Sequence, residues 1–104
     1  NINIYIYIMI KSTYLVEFIG TFVFLSVILK SGGFGPLQPV MIVTGLLAAI
    51  GLGGAISGGH FNPAVSTMMH LNNDPMVSDM TDLVGYVVAQ LLGGAVALRL
   101  SQML

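Results

Sequence analysis

Three apolar stretches, each close to the length that crosses a bilayer, constrain this chain more than any other feature. They run from about residue 12 to 30, 39 to 56 and 81 to 103. About 20 mainly apolar residues in a helix span ~30 Å of hydrocarbon, at about 1.5 Å per residue. Composition agrees with that reading. Only 7% of residues are charged, where a soluble domain carries about 25%. Mean hydropathy is +0.94. The expectation is an all-α, multi-pass integral membrane protein whose solvent is the lipid bilayer. The absence of cysteine excludes disulfides and thiol chemistry. A net charge of -1 without a basic run argues against nucleic acid as a partner.

Punctuation between the spans sets the order of elements. Residues 1–11, "NINIYIYIMIK", form an Ile-rich segment whose alternation suggests a strand, although it runs straight into a span. It either extends the first helix or stays irregular at the interface. Ser12 or Thr13 can cap the first span, and Lys11 and Lys30 bracket it as interfacial anchors. "SGGFGPLQP", Ser31 to Pro39, reads as a loop from its Gly and Pro content. Small residues recur every four positions at Gly45, Ala49, Gly53 and Ser57, and again at Gly85, Ala89, Gly93, Ala97 and Ser101. Such stripes let helices in lipid pack backbone to backbone and specify no function.

The unusual stretch is "SGGHFNPAVS", Ser57 to Ser66, followed by a short apolar helix from Asn62 to about Leu71. Pro63 suits a first helical position and Asn62 an N-cap. Ten residues reach only ~15 Å, half of a hydrocarbon core. The helix therefore either lies flat on the interface or dips to mid-membrane and returns. Irregular backbone survives at that depth only where protein or a water-filled cavity satisfies it. "NNDP", Asn72 to Pro75, reads as a turn.

Few side chains could carry chemistry. Glu17 lies inside the first span, where a carboxyl is a functional hypothesis by default. It is either a proton relay or a structural acceptor, with Thr13 and Thr21 one turn to either side. His60 and His70 lack a third ligand at sensible spacing, so no metal is expected. His60 is a wall residue or a pH-sensitive group, and His70 sits where it favours the negative end of its helix. Met68 and Met69 read as packing. No nucleophile–base pair, phosphate loop or carboxylate pair appears, so neither an enzyme nor a cofactor is expected.

"SGGHFNPAVS" resembles the first signature loop of the aquaporin, or major intrinsic protein, family. "EFIGTF", Glu17 to Phe22, resembles the family's first helix, and "GYVVAQLLGGAVA", Gly85 to Ala97, its third. The resemblance covers about residues 13 to 100. It implies three membrane-spanning helices plus one re-entrant half-helix, half of an aquaporin-like fold, over residues 12–104. In that fold two half-helices meet at mid-membrane with their positive ends toward the pore. The resemblance then makes Asn62 the central donor to passing water, with Pro63 and Ala64 as the packed tip. Gly58, Gly59, His60 and Phe61 would present carbonyls to the pore, and the dipoles would repel cations and proton relay. Glu17 would hold the backbone N–H groups of the loop. Gln90 either serves the other half of the loop or simply bonds between helices.

The family's channels contain two inverted repeats, and this sequence contains one. The second repeat must come from a longer chain or from an antiparallel copy, so a homo-oligomer is expected. Lys11 stands against Lys30 and Arg99 on the other side, a balance that nearly removes the positive-inside bias and permits both insertions. Val65 follows the Asn-Pro-Ala triplet where the family's second repeat carries Arg. Spacing back from Asn62 puts the filter position near Ile42, which is apolar. The expected function is a passive channel for water and small neutral solutes such as glycerol. The alternative is a non-conducting half-channel subunit that pairs with a complete channel and modifies it.

Overall fold

The computed structural model describes residues 2–3 and 11–104. Most of the Ile-rich opening segment, and the expectation about its form, lies outside the described residues. From Lys11 onward every regular element is helical. Helix α1 spans Ser12–Ser31, α2 Gln38–Ser57, α3 Pro63–Leu71 and α4 Met80–Met103.

Among the described residues, two helical stretches are long and apolar enough to cross a membrane, Ser12–Ser57 and Met80–Met103. The first is one continuous stretch because the Gly-Pro loop is itself helical. Gly32–Leu37 winds as a 3-10 segment, and the chain reverses at Gly35, whose φ of 54° is outside any helix. The loop expected over Ser31 to Pro39 is thus tighter than its composition suggests. Ser31 is buried; its hydroxyl donates to the Ile28 carbonyl and accepts from Gln38 Nε2.

The expected cap of α1 is different. Lys11 occupies the N-cap, with no side-chain cap bond, and Ser12 and Thr13 lie inside the helix. Leu15 N–H closes the first turn on the Lys11 carbonyl at 3.0 Å. Lys11 instead reaches Asp82 of α4, and tertiary attraction takes the place of the local cap. At α4 the local chemistry does operate. Asp79 is the N-cap and accepts from Thr81 N at 2.9 Å.

Helix α1 is the axis of the fold, packing on α2 along one side and on α4 along another, while α3 packs on α4. The buried residues of α2 are Gly45, Ala49, Gly53 and Ser57. A Cβ at Gly45 would lie 2.9 Å from Val27 Cβ, and one at Gly53 would collide with Val16. On α4, Gly93 lets the backbones of α1 and α4 approach. A Cβ there would lie 2.6 Å from the Phe18 carbonyl oxygen. Close backbone approach of this kind drives helix association where the surroundings are as apolar as the side chains. Large apolar residues accordingly cover the outside, among them Leu47, Leu52, Leu91 and Leu92.

Candidate functional site

Between α2 and α3 the chain takes five residues, Gly58 to Asn62, that belong to no helix. Helix α2 ends because Gly58 adopts a left-handed conformation, φ 92°, with its N–H on the Gly54 carbonyl at 2.8 Å. Gly59 follows at φ 66° and Phe61 at φ 52°. Glycine takes such angles freely, whereas Phe61 is held at a cost of order 1–3 kcal/mol. Asn62 then extends, φ -160°, and caps α3. Its Oδ1 accepts from Ala64 N at 2.8 Å, and Pro63 stands at the first helical position. With that oxygen occupied, the amide NH2 of the exposed Asn62 is left as a donor.

The arm is held by a single carboxylate. Glu17 Oε1 accepts from Phe61 N and from Gln90 Nε2, both at 2.8 Å. Its Oε2 accepts from Ser57 Oγ at 2.7 Å and from His60 N at 3.2 Å. Glu17 is fully buried, so four donors take the place of water. The network extends further. Gln90 Nε2 also donates to Ser66 Oγ at 2.8 Å, and Ser66 Oγ lies 2.9 Å from His60 Nδ1. Tyr86 donates to the Ser57 carbonyl at 2.6 Å and stacks at a tilt 5.1 Å from the His60 ring. Helices α1, α2, α3 and α4 therefore meet in one polar hub behind the arm. The carbonyl oxygens of Gly58, Gly59, His60 and Phe61 accept no hydrogen bond from any described residue. These four residues directly precede Asn62 in the chain.

Among the residues singled out from sequence, Glu17, His60, Phe61, Asn62 and Gln90 converge here. Pro63 and Val65 are half-buried and Ala64 exposed on the first turn of α3. Ile42 is not part of the hub. It is half-buried near the start of α2, fifteen residues and about 22 Å of helix from Ser57. The His60 side chain is buried in the hub, 6% exposed. His70 Nδ1 pairs with the Val77 carbonyl at 2.7 Å, which ties the loop after α3 back onto it. No group of three metal-binding side chains occurs among the described residues. Met68 and Met69 line an open depression with Leu71 and Asn72 at the far end of α3.

Sequence reasoning missed Ser66 and Tyr86. Both had a signal. Ser66 follows Asn62 by one helical turn, and its N–H closes the first turn of α3 on the Asn62 carbonyl at 3.1 Å. Tyr86 precedes Gln90 by one turn, on the same face of α4. Thr13 and Thr21 do not extend the network: their buried hydroxyls, like Gln90 Oε1, find no partner among the described residues.

A helix-capping Asn-Pro-Ala tip, carried on an arm that a buried glutamate holds, is specific enough to compare with known proteins. The family model "Major intrinsic protein" matches residues 8–104. This chain belongs to the major intrinsic protein family. It is accordingly an integral membrane protein, of a family whose members are channels and not enzymes. Among curated relatives, it is 43% identical over 96 residues to "Glycerol uptake facilitator protein-like 6" of Lactiplantibacillus plantarum, covering 81% of this chain and 39% of that protein. It is 40% identical over 86 residues to an "Aquaglyceroporin" of Toxoplasma gondii, covering 80% of this chain and 32% of the relative. "Probable aquaporin TIP2-2" of Oryza sativa subsp. japonica is 37% identical over 105 residues, covering 86% and 40%. No solved structure gives a significant match. The chain spans at most about 40% of the length of these major intrinsic proteins.

Proposed function

We propose that this chain forms half the wall of a passive transmembrane channel for water and small neutral solutes such as glycerol. The other half is a second inverted repeat, from an antiparallel copy in a homo-oligomer or from a longer chain. Residues 12–104 act as one repeat in this reading. Helices α1, α2 and α4 cross the membrane, and α3 is a half-helix that re-enters it.

The observation that supports it most is the pairing of donor and acceptors at the tip. Asn62 keeps its amide NH2 as a donor, and the four residues before it, Gly58 to Phe61, have carbonyls that accept no hydrogen bond from any described residue. A file of water needs both, and the positive end of α3 behind Asn62 disfavours cations and hydronium. Pro63 and Ala64 pack the tip against its inverted counterpart. Ile42 and Val65 stand where the family's filter would be, apolar and without Arg, which fits solutes larger than water. Glu17 and Gln90 support the arm and take no part in proton transfer. The names of the relatives, glycerol facilitator and aquaglyceroporin, point the same way.

Purified protein in liposomes should accelerate osmotic shrinkage and glycerol entry without collapsing a proton gradient. Shrinkage at the rate of empty vesicles, from verified and assembled protein, would favour the non-conducting subunit that modifies a complete channel. A proton leak would count against the dipole argument.

A further inference from the structure

We propose that Gly20 of α1 is a positioning residue for conduction: it seats the Phe61 ring and thereby sets where Asn62 sits. The inference rests on the channel reading for its functional consequence, and on geometry alone for the latch itself. Phe61 immediately precedes Asn62, so its backbone fixes the point from which the tip departs. That backbone is left-handed at φ 52°, which a phenylalanine does not adopt unaided.

Two contacts from one face of α1 hold it. Glu17 Oε1 takes the Phe61 N–H at 2.8 Å. Three residues later on the same face, Gly20 takes the ring. A Cβ at Gly20 would lie within 2.7 Å of Phe61 Cε1, Cζ and Cδ1. Gly59 flanks the opposite edge of the ring, where an added Cβ would sit in ordinary contact, 3.6 Å from Phe61 Cε2. The ring is 2% exposed, pinned between α1 and its own arm. The tight side of its seat is therefore the one that Gly20 forms.

Gly20 differs in this from the other glycines at helix crossings. Gly45 and Gly53 receive Val27 and Val16, Gly85 receives Tyr14, and Gly93 meets the backbone of α1. Substituting those glycines would separate one long helix from another. Substituting Gly20 pushes on the arm that carries Asn62, and leaves the crossing of α1 with α2 and α4 to the glycines that face α1 from those helices.

The test is a double-mutant cycle with Gly20→Ala, Phe61→Leu and both together, read in two ways. Distance comes first. The chain has no cysteine of its own, so spin labels at Thr67→Cys on α3 and Leu91→Cys on α4 report the place of the half-helix. Gly20→Ala should shift this distance distribution, and adding Phe61→Leu, which shortens the group pressed on Gly20, should restore it. Water permeability per assembled channel comes second. It should fall roughly fivefold in Gly20→Ala and recover in the double variant, a coupling of the size that contacting residues show. An unchanged distance in Gly20→Ala, or single shifts that simply add in the double variant, overturns the latch. If Gly20→Ala alone fails to assemble, recovery of assembly by Phe61→Leu supports the latch and its absence overturns it. Wild-type vesicles that pass no water would refute the channel reading only, because the distance cycle still decides the latch.

Discussion

The chain carries two interhelical carboxylates that solve the same electrostatic problem by different means. Asp82, at the end of the bundle, accepts from Lys11 Nζ at 2.9 Å and from the Tyr14 hydroxyl at 2.6 Å. The side chains of that ion pair are 41% and 20% exposed, so water shares the load. Glu17 is fully buried and has no cation among its described hydrogen-bond partners. It is surrounded instead by two backbone N–H groups, a hydroxyl and an amide. Exposed ion pairs contribute about 0–1 kcal/mol, because solvation competes with them. A buried group has no such alternative, and losing its partner costs each stranded donor about 1–3 kcal/mol. The comparison teaches that the formally weaker arrangement, dipoles around one charge, should dominate stability. It should also dominate the shape of the Asn62 tip.

The sharpest way to break that contrast is Glu17→Leu. It strands the N–H groups of His60 and Phe61 and frees Ser57 and Gln90 at once. Loss of several kcal/mol is expected from two stranded N–H groups, seen as a collapse of monodisperse yield and thermal stability in detergent, with conduction lost. A variant that melts within a few degrees of wild type would show that the hub does not carry the arm. Glu17→Gln comes next. An amide oxygen still accepts, but its NH2 faces donors, so one or two of the four bonds go. Folding and part of the water flux should survive, at a cost of roughly 1–3 kcal/mol. Should this variant instead abolish a proton-coupled flux, the structural role assigned to Glu17 would be wrong.

Ser66→Ala tests the outer edge of the hub. It removes the oxygen that takes Gln90 Nε2 and touches His60 Nδ1. A loss of about 1–2 kcal/mol should appear in the denaturation midpoint, with α3 less protected against amide exchange than α4. Asp82→Asn should be the mildest, under about 1 kcal/mol, and its deficit should shrink further in high salt, which screens the exposed pair. If Asp82→Asn were as damaging as Glu17→Leu, burial would not be what separates the two sites.

Which features were legible before the fold was known depends on how local their cause is. Class followed from hydropathy, because lipid admits only helices or closed barrels. Asn62 and Pro63 announced the start of α3, since a cap and a proline at the first helical position act within three residues. The family followed from a ten-residue string and two flanking helix motifs, and the comparisons uphold it. Two local expectations went astray for the same reason. Ser12 and Thr13 do not cap α1, because Lys11 is drawn across to Asp82. The Gly-Pro loop winds into a 3-10 turn because Ser31 and Gln38 close on each other.

By itself the sequence determined a helical membrane protein of the major intrinsic protein family, with a short helix beginning at Asn62, since hydropathy, capping and the signature string all act over neighbouring residues. The resemblance already assigned Glu17 to the N–H groups of the loop, forty residues or more away; only the tertiary structure decided that the same carboxylate also takes Ser57 and Gln90, and that Ser66, Tyr86 and Gly20 belong with it. The physical reason is distance along the chain. A buried donor must find an acceptor, but nothing local in the sequence says which, and that choice is made when α1, α2 and α4 pack at their small residues and bring the candidates within hydrogen-bonding distance of one another.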